Sequence, residues 1–265
     1  MGTHFKRGFT IIETMLVLAI TGVLIAGLLI GVGSSVSAQR YKDSVATFKS
    51  LLQDQYSQVT NVSNDRNSNW TCGSTADPAQ SNGGIAPGQS DCVLLGRYVS
   101  IVGGSITQAV VVGFQNSKTA GASDIATIKA NYTLGISTSS IATSSLEWGA
   151  QIAWPAKGSG AKKPTMPRSL AMLILRSPDS GTSYTFTSDD VNDIIAVNSA
   201  TLKTMMVEDT TQVPGQLQRT ICIDPNGVGV PEMLAVYIGQ AADGPGSIET
   251  RSFSTITNNG GDSQC

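Results

Sequence analysis

Residues 6–36 read KRGFTIIETMLVLAITGVLIAGLLIGVGSSV, and this stretch decides the fold. From Phe9 to Val36 the chain is apolar except for a few Thr, Ser and Gly residues and one acid, Glu13. As a helix these 28 positions (36−9+1) span roughly 42 Å, enough to cross a bilayer core of about 30 Å. Lys6 and Arg7 stand just before the run. The positive-inside rule keeps that end in the cytoplasm and sends the rest outward. A secretory signal peptide has a shorter apolar core of roughly 7–15 residues, followed by its cut site. Here the small residue, Gly8, precedes the apolar run, so cleavage there keeps the hydrophobic segment in the mature chain. A carboxylate within such a segment is expensive, on the order of 3 kcal/mol at the membrane centre. Glu13 therefore needs a partner.

Lys6-Arg7-Gly8 followed by Phe9-Thr10-Ile11-Ile12-Glu13 resembles the type IV prepilin signal. In that family a membrane peptidase cuts after the glycine and methylates the new amino terminus, and a glutamate stands at the fifth mature position. Here 13−8 gives 5. The competing reading is an ordinary signal anchor with an accidental Arg-Gly-Phe. The resemblance implies cleavage between Gly8 and Phe9, N-methylation of Phe9, and pairing of Glu13 with the Phe9 amine of a neighbouring subunit. Such pairing offsets much of the cost of two charges in a low-dielectric bundle. Pilins often carry a proline about 22 residues into the mature chain. The equivalent place here is Ile30, a departure from the pattern. Gly27 and Gly31 form a G-x-x-x-G, which permits close helix approach in membranes.

The chain has 265 residues, and removing a leader of 8 leaves 257, enough for a sizeable head. Its formal charge of −2 becomes −4 without Lys6 and Arg7, so no overall basic field draws the head to nucleic acid. The single histidine, His4, lies in the leader. A mature chain without histidine has no Ser-His-Asp or Cys-His system and no His-ligated zinc. No two carboxylates are convincingly paired for hydrolysis. The expectation is no enzyme, no cofactor and no metal.

Four cysteines, Cys72, Cys92, Cys222 and Cys265, lack C-x-x-C spacing. In an exported head an even count reads as two disulfides with three connectivities. The sequential one, Cys72–Cys92 with Cys222–Cys265, closes two loops within continuous segments and is favoured.

Beyond Val36 the large apolar residues Tyr41, Val45, Phe48, Leu52, Tyr56, Val59 and Val62 recur at spacings of three and four, a helical stripe. One helix over 9–62 is predicted, with 9–36 crossing the membrane. Residues 61–89 read as a loop. Strands are predicted at 92–102 and 106–114 about a Gly103-Gly104 hairpin, and at 125–136, 146–154, 170–175, 183–187, 218–223, 233–238 and 248–256. Residues 189–202 are open between helix and loop, and the tail 258–265 reads as irregular. The fold class is α+β: a leader over 1–8, the helix, and an antiparallel β-rich extracellular head over 63–265.

Three further features bear on ligands. Lys157, Lys162, Lys163 and Arg168 form a basic stretch without an acid, and some minor pilins bind DNA, but aromatic interleaving is sparse. Asp224 and Asn226 could gather oxygens with the tail around calcium, yet turn chemistry alone explains them. Trp70, Trp148 and Trp154 read as core or strand residues. The reading is a structural subunit of a type IV pilus or pilus-like filament, minor or large major, held in the cytoplasmic membrane and then extracellular in the filament. Its partners are other pilin subunits, the prepilin peptidase, the membrane and a surface or DNA ligand. The alternatives are a pseudopilin of type II secretion and a DNA-uptake or adhesive minor pilin.

Overall fold

The computed structural model describes residues 10–61, 70–80, 90–119, 121–153, 156–157, 167–207, 219–227, 233–239, 242–252 and 263–264. It begins with one unbroken helix, α1 (Ile11–Thr60), of 50 residues and about 75 Å. Thr10 caps it, its side chain accepting from the Glu13 N–H at 3.3 Å. At the other end the Asn61 N–H closes on the Ser57 carbonyl. Val62, the last residue of the expected stripe, lies outside the described residues.

The strands that follow are β1 (Trp70–Cys72), β2 (Pro78–Gln80), β3 (Cys92–Val102) and β4 (Ser105–Gln115). Helix α2 (Asp124–Asn131) precedes β5 (Tyr132–Ile136), β6 (Ala142–Ser145), β7 (Gln151–Ala153), β8 (Ala156–Lys157), β9 (Ser169–Arg176) and β10 (Ser183–Ser188). Helix α3 (Ser199–Met205) leads to β11 (Arg219–Asp224), β12 (Leu234–Ile238), β13 (Ile248–Ser252) and β14 (Ser263–Gln264).

The larger sheet runs β10-β9-β3-β4-β5, with β6 also paired to β4, and the second runs β13-β12-β11-β7. Every pairing among the described residues is antiparallel. The β3–β4 hairpin turns on Gly103, whose φ of 60° suits a residue without a Cβ. Gly96 sits at a register shift in β3, where a Cβ would collide with the Ile174 carbonyl. Its bare backbone lets β9 close onto β3.

The large sheet is buried on both faces. On one, Val99, Ile101, Leu170, Met172 and Ile174 meet the stripe of α1 and the inner residues of the second sheet, Ile221, Ile223, Val236 and Ile238. On the other, Tyr98, Val111, Ala171, Leu173, Leu175 and Phe186 meet Ile125 and Ile128 of α2 and Leu202 and Met205 of α3. The alternation of β9 between the two cores explains its continuous apolar run. Tyr41, Val45, Phe48, Leu52, Tyr56 and Val59 are all buried, as the stripe predicts.

Several expectations are corrected. Residues 125–136 are not one strand: Ser123 caps α2, its hydroxyl accepting from the Ala126 N–H at 3.0 Å, and the strand begins only at Tyr132. Residues 146–154 hold a tight turn at Glu147–Gly149 before the short β7, and Trp154 lies outside the described residues. The expected loop over 61–89 contains the β1–β2 hairpin. The tail is not wholly irregular, since β14 pairs with β8. Residues 189–202, left open between helix and loop, hold both a turn at Ile194–Ala196 and the start of α3, so here no expectation is overturned.

Candidate functional site

The first half of α1 is the feature without a structural role in the head. Ile11, Ile12, Met15, Leu16, Leu18, Val23, Leu24, Leu28, Leu29, Ile30 and Val32 are all exposed. The apolar window of α1 is long enough to cross a membrane, and none of it is buried. Three of its hydroxyls are satisfied within the helix: Thr14 donates to the Ile11 carbonyl at 2.9 Å, Thr21 to Val17 at 2.8 Å and Ser34 to Gly31 at 3.1 Å. Such bonding removes the cost of a bare hydroxyl in hydrocarbon. A Cβ built on Gly22, Gly27, Gly31 or Gly33 would meet nothing within 4 Å, so these positions leave room for a neighbouring backbone.

Glu13 lies in the first turn, exposed among these side chains. Its carboxylate has no hydrogen bond or ion pair among the described residues. The helix N-terminus favours a negative charge there, but only weakly. Gly8 and Phe9 lie outside the described residues.

The second half of α1 is fixed to the head by polar contacts as well as by its stripe. The Tyr41 hydroxyl donates to the Ile223 carbonyl at 2.8 Å and accepts from the Leu234 N–H at 2.7 Å, at the place where the β11–β12 ladder ends. Tyr56 and Thr185 share a hydrogen bond of 2.8 Å, and Thr185 donates to the Ala242 carbonyl. Arg97 Nε donates to Gln55 Oε1 at 3.1 Å, and Arg176 Nη1 to the Thr60 carbonyl at 3.1 Å. Burial pushes the hydroxyl of Tyr56 up to about 12, with the Thr185 bond pulling the other way, and burial alone pushes Tyr98 up to about 12.

A disulfide joins Cys72 to Cys92, with Cα atoms 5.7 Å apart, as the sequential pairing expects. Cys222 is fully buried in β11 and disulfide-bonded. Cys265 lies outside the described residues.

Of the basic stretch only Arg168 has a described side chain, and it is not a surface residue. Arg168 is 2% exposed, bridged to Asp189 at 3.0 Å and donating to the Thr220 carbonyl. Its partner stands 21 residues away, which no local reading of the sequence could find. Lys162 and Lys163 lie outside the described residues. Asp224 accepts from the Asn226 N–H at 2.8 Å, an ordinary turn bond. Trp148 is not a core residue: it is 57% exposed, at a φ of 58°, with the Arg40 guanidinium 4.6 Å over its ring. Trp70 opens β1, half-buried.

Residues 4–29 match the family model described as the prokaryotic N-terminal methylation motif. No curated protein matches the chain at a significant level. No solved structure does so either. The motif implies processing by a prepilin peptidase and assembly with other pilin subunits, and with the apolar half of α1 it fits membrane anchoring before assembly. The chain thus carries the prepilin N-terminal methylation motif on an exposed apolar helix ahead of an antiparallel head, consistent with the type IV pilin and pseudopilin family.

Proposed function

We propose that this chain is a structural, non-enzymatic subunit of a type IV pilus or pilus-like filament. The observation that carries the reading is the sharp division of α1: its second half belongs to the core of the head, while its first half presents an exposed apolar surface and carries most of the matched motif. A monomer gains nothing from such a surface in water. Lipid covers it before assembly, and the same half-helices of other subunits cover it afterwards. Cleavage between Gly8 and Phe9 leaves Phe9 as the N-methylated terminus, and Glu13 pairs with that terminus on an adjacent subunit. Before assembly the chain sits in the cytoplasmic membrane with its amino terminus inside, and after assembly its head is extracellular. The second disulfide joins Cys222 to Cys265. A large head built on two cores favours a minor or large major pilin. A pseudopilin of type II secretion shares the same N-terminus, so it stands as the alternative. The burial of Arg168 takes one cation from the surface that a DNA-uptake subunit would use.

Mass spectrometry of the mature chain tests the processing step. The expected product begins at an N-methylated Phe9. A filament-borne chain retaining Met1, or one cut beyond the apolar segment, would sink the reading.

A further inference from the structure

Arg40 and Trp148 meet where the apolar half of α1 gives way to the head. Trp148 occupies a left-handed backbone conformation that a bulky side chain rarely adopts, and it is exposed. Arg40, one turn past Val36, stacks on its ring and has no hydrogen bond or ion pair among the described residues. Stacking occupies the face of the guanidinium and leaves its in-plane N–H donors available. The pair lines a cavity of about 120 Å³ whose wall also includes Ser37 and Ser44. Ser44 is fully buried, and its hydroxyl has no partner among the described residues.

The length of α1 sets the depth of this site. Residues 11–36 rise roughly 39 Å, which fills a hydrocarbon core of about 30 Å and part of the interface on each side. Ser37 and Arg40 then stand at the outer headgroup level, and the stacked Trp148 stands beside them. Tryptophan favours this zone because its ring is apolar and its N–H is polar.

We propose that Arg40, Trp148 and the cavity they line form a phospholipid headgroup site, by which the unassembled subunit rests its head on the outer leaflet. The Arg40 N–H groups meet the headgroup phosphate, Trp148 enters the interface, and Ser37 and Ser44 line the same cavity. The site fixes the depth and rotation of α1 in the membrane. The lipid leaves it when the subunit is drawn into a filament. This inference rests on the membrane-held reading above.

The test uses the mature full-length chain in vesicles of phosphatidylethanolamine and phosphatidylglycerol. Tryptophan fluorescence is quenched by nitroxide lipids labelled at the headgroup or deep in the acyl chain, and wild type is compared with Trp148→Phe. The expected difference is a component quenched by the headgroup label far more than by the deep one. Arg40→Gln should reduce it by roughly twofold to fivefold, with flotation on the vesicles unchanged. Identical quenching of wild type and Trp148→Phe on floated vesicles overturns the headgroup site and leaves membrane anchoring standing. So does a difference that follows the deep label. A chain that does not float at all removes both.

Discussion

Tyr41 shows how single residues fasten the helix to the head. Its hydroxyl takes the place of the next rung between β11 and β12, serving one carbonyl and one N–H. Tyr41→Phe leaves both groups buried and poorly satisfied, which should lower stability by about 1–3 kcal/mol. Urea unfolding of the soluble head with the second half of α1 reads this as a lower midpoint. Tyr56 and Tyr98 make a second residue-scale prediction. Burial raises both to about 12 from an ordinary 10.0, so the neutral form is favoured in the folded state. Their stabilising contribution is whole below about pH 10, fades as pH rises toward 12, and is lost above it. A phenolate absorbance titration should show these two ionising late, together with the loss of near-ultraviolet circular dichroism. Ionisation of every tyrosine near pH 10 in a folded head would contradict this.

At the scale of elements, legibility in the sequence follows the range of the forces involved. The α1 stripe is plain because one helical face packs along its whole length on both sheets, and a period of 3.6 records that directly. The hairpin at Gly103 is plain because its turn demands a particular residue, with a φ of 60°. Helix α2 escapes the strand-pattern reading because Ile125 and Ile128 suit a strand as well as a helix. The cap at Ser123 is the signal that separates them. The Arg168–Asp189 pair and the Arg40–Trp148 stack leave no local trace, since each joins separate segments through tertiary packing. In the candidate site, the apolar run and Glu13 are legible, while the contacts of Tyr41, Arg40 and Trp148 are not. The disulfide between β1 and β3 spans 20 residues. Replacing Cys72 and Cys92 together with serine should destabilise the head by about 3 kcal/mol in the chain-entropy account. An unchanged unfolding midpoint would show that this hairpin is held without it.

The whole molecule joins two bodies with opposite requirements. The head is closed, with both faces of its main sheet covered and its helix locked in place. The first half of α1 is open along its length and carries a single ionisable side chain, Glu13. A lone carboxylate on such a surface needs a cation, and the amine of a neighbour's Phe9 is the one that the proposed processing supplies. Glu13→Ala should insert into the membrane at least as well as wild type, since the apolar side chain costs less in lipid. It should also be cut after Gly8. The decisive measurement is the amount of Glu13→Ala in sheared filaments relative to the membrane fraction, in cells where no other pilin can carry it. The expected result is depletion from filaments of more than about tenfold at an undiminished membrane level, because each incoming subunit would bury an unpaired terminal charge. Equal incorporation of Glu13→Ala and wild type would contradict the pairing, and with it the central case for a filament built through this helix.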